Sequence, residues 1–210
     1  MSNRRASIAV HGPTLTLRLP EPSDAAVLLE LASDPEVTRW FSWGPYTTLD
    51  EPEAYIERLD AQRDRGEQLD LLVVHRDAGP AGIVGLGEHS ARDRRAMVGT
   101  WLGKRFWGTG VNREAKALVF HLAFGTLVLE RLGAYSNTAN ERATRALLAV
   151  GFRHEGVLRR WHRHGDAVYD VNVFGLLREE WAAGPLAKLP AAVEGEPPGA
   201  FAVSRASAPR

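Results

Sequence analysis

Hydrophobic and polar positions first alternate over Thr14–Leu19, where Leu15, Leu17 and Leu19 are interleaved with Thr16 and Arg18 at the period of a half-buried strand. The period then lengthens. Ser23 stands as an N-cap before DAAVLLELAS, in which Ala25, Leu28, Leu29 and Ala32 make one apolar stripe, and Asp34-Pro35 closes that helix. Thr48 to Glu51 has the capping-box pattern, and Tyr55, Ile56 and Leu59 extend it as a second helix with a mostly charged outer face. Between these helices, Trp40-Phe41-Ser42-Trp43-Gly44-Pro45-Tyr46 holds too many aromatics and breakers for regular structure and reads as a loop.

From Leu69 the runs LDLLVVH, GIVGLGEH and AMVGTWLG, parted by turn residues, predict three antiparallel strands. The glycine-rich segment Arg105 to Gly110 then leads into Val111, Ala115, Leu118, Val119 and Leu122 at helical spacing. Arg131–Ser136 predicts another strand. Asn140 caps a helix with Ala143, Ala146, Leu147 and Val150 inward, and Phe152–Arg160 and Val168–Leu177 predict two final strands. This order predicts one α/β (α+β) domain, with a mixed, mostly antiparallel twisted sheet of about seven strands flanked by about four helices. The expected domain spans residues 14–183, after an N-terminal arm, 1–13. The tail, 184–210, is rich in Ala, Pro and Gly with few large apolar residues, a composition that predicts mobility.

Composition narrows the chemistry. Lys plus Arg and Asp plus Glu both number 26, so no global field favours nucleic acid or anionic lipid, and any anion must be met locally. The chain has no cysteine, which excludes disulfides, thiolate metal sites and cysteine nucleophiles. The seven histidines show no metal-ligand spacing, so no metal is expected. No apolar stretch reaches signal-peptide or membrane-spanning length, and a cytoplasmic protein without a membrane partner is the expectation.

The glycine segment carries the clearest chemistry. A Gly-x-Gly turn between a strand and a helix presents backbone N–H groups at the positive end of a helix dipole, and glycine lets phosphate oxygens approach them. Two better-known phosphate loops fail. Gly103 to Gly108 has the first spacing of a P-loop, but Thr109-Gly110 stands where Lys-Ser or Lys-Thr is required. After Gly108 and Gly110, Arg113 occupies the third glycine position of the dinucleotide fingerprint.

The remaining pattern, Arg105-x-x-Gly108-x-Gly110, resembles the acetyl-CoA loop of the GNAT superfamily: Gln or Arg, two residues, Gly, one residue, Gly or Ala. Val98 to Leu102 before it, Asn112 to Ala115 after it, then Asn140 and Gly151 to Arg159 follow the family's order. GFRHEGVLR, Tyr169-Asp170 and Trp181 are similar to the RimJ/RimL-like ribosomal-protein acetyltransferase branch, and the resemblance covers residues 14 to 181. It implies a sheet splayed between the strands of Val98 and Ala134, with acetyl-CoA as co-substrate in the wedge and an amine acceptor, a protein N-terminus or a small molecule, entering from the opposite side. It also implies that Leu102, Lys104, Arg105, Phe106, Trp107, Gly108, Thr109, Gly110, Val111 and Asn112 contact coenzyme A, largely through their backbones. Asn140 would stand near the thioester, although it is equally an ordinary N-cap. Trp40 and Trp43, with Phe41 and Tyr46, are candidates for the acceptor wall or are plain packing aromatics. Homodimers are common among similar proteins.

The chain also departs from the family. Met97 and Ala143 occupy positions where an acidic residue and a serine often stand in that branch. Three readings stay open: a base from elsewhere, with Glu88 or His89 the nearest candidates; catalysis by positioning alone; or a CoA-binding protein without transfer activity. A different acyl donor, such as succinyl-CoA, is a further alternative. A free α-amine of pKa about 7.8 is far more often neutral at pH 7 than a lysine of pKa about 10.4, a difference near 3.5 kcal/mol. Without a strong base, weakly basic amines are therefore the better-matched acceptors.

Overall fold

The computed structural model describes residues 8–202. Nine strands form one sheet: β1 (Ile8–His11), β2 (Leu15–Arg18), β3 (Gln68–His75), β4 (Gly79–Ser90), β5 (Arg95–Leu102), β6 (Arg131–Asn137), β7 (Arg153–His164), β8 (Ala167–Leu177) and β9 (Ala192–Gly195). Their order is β7-β8-β6-β5-β4-β3-β2-β1-β9. Six α-helices accompany them: α1 (Ala25–Ala32), α2 (Pro35–Thr38), α3 (Asp50–Asp64), α4 (Val111–Phe120), α5 (Glu141–Ala149) and α6 (Arg178–Ala183). The single mixed α/β domain is as expected, with more strands and helices than the sequence pattern predicts. Among the described residues, no helix is long and apolar enough to cross a membrane.

Helices cover both faces of the sheet. Buried residues of β2, β3 and β4, among them Leu17, Leu71, Val84 and Leu86, pack in one cluster with Ala115, Leu118 and Val119 of α4 and Leu147 of α5. On the opposite face Leu72 and Ile83 pack with Ala25 and Leu28 of α1 and Ile56 of α3. Burial on both faces explains why β3 reads as a nearly continuous apolar run rather than an alternating one. Each such fully buried aliphatic side chain contributes about 1.5–3 kcal/mol.

Every strand pair is antiparallel except β5 with β6. That parallel pairing spans only Arg95, Ala96 and Met97 against Arg131, Leu132 and Gly133. Beyond it, β5 continues to Leu102 against β4, and β6 continues to Asn137 against β8. The sheet therefore opens as a wedge between Val98–Leu102 and Ala134–Asn137.

Two expectations need correction. Ile8–His11, placed in the arm, is a strand paired with β2. Residues 184–202, expected to be mobile, include β9, which pairs with β1, and two buried anchors, Leu186 and the fully buried Phe201. Strand pairing is a backbone interaction and does not need the large side chains whose scarcity suggested mobility. Residues 1–7 of the expected arm and 203–210 of the expected tail lie outside the described residues.

Candidate active site

The loop from Gly103 to Gly110 begins where β5 ends. A 3₁₀ turn, Lys104–Phe106, buries Phe106 beside Leu102 in the core. The Trp107 indole donates to Leu102 O at 2.8 Å, and the Thr109 hydroxyl donates to Phe106 O at 2.8 Å. Gly108 and Gly110 have φ of 76° and 93°, in the left-handed region, and Gly110 is the N-cap of α4. A Cβ at either glycine would meet no atom within 4 Å, so both serve backbone conformation and close approach rather than packing. The first bond across the start of α4 runs from Glu114 N to Gly110 O at 3.1 Å, which leaves the N–H groups of Val111, Asn112 and Arg113 without an intrahelical acceptor. Glu114 is turned away from them: its carboxylate accepts from Thr14 N, the Thr14 hydroxyl and Leu15 N. The loop thus presents a positive helix end, open backbone and no facing carboxylate from its own first turn.

The flanking cations are engaged elsewhere. Lys104 pairs with Glu36 at 2.6 Å and lies 3.8 Å from Asp34, and these acids raise its pKa; Arg105 pairs with Glu30 at 3.0 Å. Lys104 and Arg105 are thus committed to carboxylates, while the main-chain N–H groups at the start of α4 stay open to an anion. Arg142, in the first turn of α5, stacks its guanidinium over the Trp107 ring, and burial lowers its pKa. The sequence reading missed Arg142, because nothing local distinguishes an arginine two residues after a helix cap.

Asn140 is an N-cap, its side-chain oxygen accepting from Ala143 N at 3.1 Å. Glu88 and His89, adjacent at the end of β4, are engaged with different groups. Glu88 is exposed; burial, and after it the Glu88 charge, raises the pKa of Tyr135 on β6. His89 stacks on Phe201 at 4.7 Å, burial lowers its pKa, and its buried Nε2 has no hydrogen-bond partner among the described residues. The structure therefore does not bring these two candidates together.

A pocket of about 170 Å³ opens on the α1 and α3 face of the sheet, against β5. Its aromatic wall comes from the loop after α2: Trp43 stacks on Phe41 at 5.2 Å, lies 5.2 Å from Tyr46, and meets Trp101 of β5 edge-on at 5.6 Å. Trp40 does not line it and instead lies beneath the Arg39 guanidinium. The polar part comes from Tyr55 and Arg58 of α3 and from Gln68 and Asp70 of β3. The sequence reading missed these residues. Asp70 was detectable as the one charge within LDLLVVH, since a carboxylate buried in a central strand requires partners. A larger open concavity of about 730 Å³ on the β7–β8 hairpin is lined by residues 157–161 and Asp170, with none from β5 or β6. Among the described residues, no group of three His, Asp or Glu is placed to hold a metal ion.

The wedge beside the glycine-turned start of α4 thus borders β5, the strand that also carries part of the aromatic pocket. The acetyltransferase (GNAT) domain model matches residues 14–153. Over 169 residues the chain is 30% identical to the uncharacterized N-acetyltransferase p20 of Bacillus licheniformis, a match covering 80% of this chain and 95% of that protein. Two solved structures share the fold. The Microcin C7 self-immunity acetyltransferase MccE, in complex with acetyl-CoA and AMP, matches with a TM-score of 0.73 at 22% identity, over 79% of this chain and 93% of its own. Spermidine N-acetyltransferase from Vibrio cholerae, in complex with CoA and spermine, matches with a TM-score of 0.69 at 21% identity, over 80% of this chain and 98% of its own. The chain belongs to the GNAT acetyltransferase family.

Proposed function

We propose that this protein is an acetyl-CoA-dependent N-acyltransferase that modifies a primary amine. The observation that carries the reading is the wedge between β5 and β6, set directly beside the open N–H groups at the start of α4. The residues fit the co-substrate: Gly108 and Gly110 leave free space above the loop, and the N–H groups of Val111 to Arg113 offer donors to a diphosphate. When bound, acetyl-CoA supplies an activated acyl group to the acceptor nitrogen. The chain's own part is to grip the diphosphate, to line the wedge through β5 and to seat the amine on the opposite face. Main-chain N–H groups of β5 beyond Met97, where its pairing with β6 stops, would donate to an acyl oxygen held in the wedge. That MccE was solved with acetyl-CoA, and the Vibrio enzyme with CoA and spermine, supports both the donor and an amine as acceptor.

Within the family, the stretch Gly151 to Arg159 favours the RimJ/RimL-like branch. A cytoplasmic setting is part of this proposal, and the cysteine-free composition is compatible with it. Isothermal calorimetry with coenzyme A, followed by thiol-release assays with acetyl-CoA and a panel of peptides and amines, tests the proposal. Association with CoA and thiol release dependent on an amine are the expected results. CoA binding without release on any amine favours the non-catalytic reading that Met97 and Ala143 raise, whereas release with succinyl-CoA alone reassigns the donor.

A further inference from the structure

The register of three neighbouring strands places Asp70 of β3 opposite Gly85 of β4, and Gly85 opposite Gly99 of β5. Paired positions point to the same face, so a row made of one carboxylate and two glycines crosses the sheet and ends on the strand that borders the wedge. The glycines are what make the row a trough. A Cβ on Gly85 would collide with Asp70 Oδ1, whereas a Cβ on Gly99 would meet nothing within 4 Å. The carboxyl therefore lies over Gly85, about one strand spacing, ~4.8 Å, from the open space over Gly99. Ile83 and Trp101 bound the trough on one side and Gln68 and Met97 on the other.

Asp70 is 7% exposed, in a strand where an aliphatic side chain would incur no desolvation cost. It accepts from the Tyr55 hydroxyl at 2.5 Å and from the Gln68 amide at 2.5 Å. A carboxylate has about four lone-pair sites, so two donors leave capacity on the side that lines the pocket. Burial pushes its pKa up, against the Tyr55 and Gln68 hydrogen bonds and the charges of Arg58 and Arg63; with Tyr46, these are the titratable and charged groups facing it.

We propose that Asp70 is the acceptor-binding carboxylate and proton acceptor of this enzyme, and that its acceptor is a small monoamine with an aromatic or branched apolar body. The inference rests on the acyltransferase reading above. The ammonium docks on Asp70 between aromatic walls, which favour a cation by their ring quadrupoles. The step assigned to Asp70 is proton transfer alone: R–NH₃⁺ gives one proton to the carboxylate, yielding R–NH₂ and the neutral acid, and the acid returns that proton to water when the product leaves. No electrons are exchanged. Asp70 thereby supplies from two strands away the group that Met97 lacks. The pocket of about 170 Å³ holds the volume of about six waters, taken at ~30 Å³ each, which matches an arylethylamine or the first residue of a peptide. Arg58 also lines it and disfavours a second positive charge, as in a polyamine.

Calorimetric titration of the full chain with 2-phenylethylamine, with no acetyl-CoA present, tests the site. Saturable binding is expected, about 10- to 100-fold weaker in Asp70→Asn, and weaker for spermidine than for phenylethylamine. With acetyl-CoA, Asp70→Asn should lower kcat by about 10²–10⁴-fold and remove the acidic limb of the pH profile, and Tyr55→Phe should lower kcat less. A peptide with N-terminal Phe distinguishes a protein N-terminus from a free amine as the source of the same group. Unchanged phenylethylamine affinity and near-normal kcat in Asp70→Asn overturn the proposal, as does preference for spermidine. Gly99→Val, whose side chain enters open space on a strand that suits it, gives a second reading if Asp70→Asn fails to fold: full amine affinity in that variant also overturns it. Calorimetry with coenzyme A runs in parallel. If the parent protein binds coenzyme A but shows no saturable phenylethylamine binding, the Asp70 site alone is refuted, whereas absence of CoA binding refutes the acyltransferase reading.

Discussion

The guanidinium of Arg142 lies 3.3 Å from the centroid of the Trp107 ring. Trp107 belongs to the loop that follows β5 and Arg142 to the helix that follows β6, so the contact joins the two sides of the wedge at its mouth. A partly desolvated cation–π pair of this kind contributes about 1 kcal/mol, and Arg142→Ala should lower the free energy of unfolding in urea by about that amount. Arg142→Lys should restore only part of the loss, since an ammonium cannot stack its plane on the indole.

The paired cations and the open glycines of the Gly103–Gly110 loop should respond differently to substitution if the loop binds coenzyme A as proposed. Gly108→Val and Gly110→Val each force a β-branched residue to a left-handed φ, a strain of about 1–2 kcal/mol, and cover the amides at the start of α4. Affinity for coenzyme A in calorimetry should fall at least about tenfold in each. Lys104→Ala and Arg105→Ala remove charges already paired with Glu36 and Glu30, in exposed pairs that water screens, so both should bind within about fivefold of the parent.

Phe201 is fully buried and stacked on His89 in a segment whose composition suggests looseness. Phe201→Ala should destabilise the fold by about 3–5 kcal/mol in chemical denaturation. No change in the transition midpoint would mean that residues 185–202 do not belong to the folded unit.

Lys116, on α4, is 4% exposed, and burial brings its pKa down to about 7. Between pH 7 and 10.5 the unfolded chain holds a proton there that the folded chain has released, so stability rises with pH across that window. The penalty below pH 7 is on the order of a few kcal/mol. Lys116→Met should remove it, flattening the dependence of the unfolding free energy on pH and raising stability most below pH 7.

Much of this was legible locally. The period of Leu15, Leu17 and Leu19, the Asn140 cap and the glycines at 108 and 110 report their structure directly, because alternation, capping and left-handed φ depend on a few adjacent residues. The presence of a wedge was legible only through family resemblance. Its extent depends on where the β5–β6 pairing stops after Met97.

The strand pairing decided the rest. β9 is held by β1 across most of the chain, through backbone groups that carry no side-chain signature. Trp40 and Trp43 are equivalent as a pair of aromatics in a breaker-rich loop, yet only Trp43 reaches Trp101. Asp70, Gly85 and Gly99 are three unremarked residues on three strands until register aligns them in one row. Register sums contacts between segments far apart in the chain, and a shift of one residue would turn Asp70 to the α4 face, so only the folded sheet places the carboxylate beside the wedge.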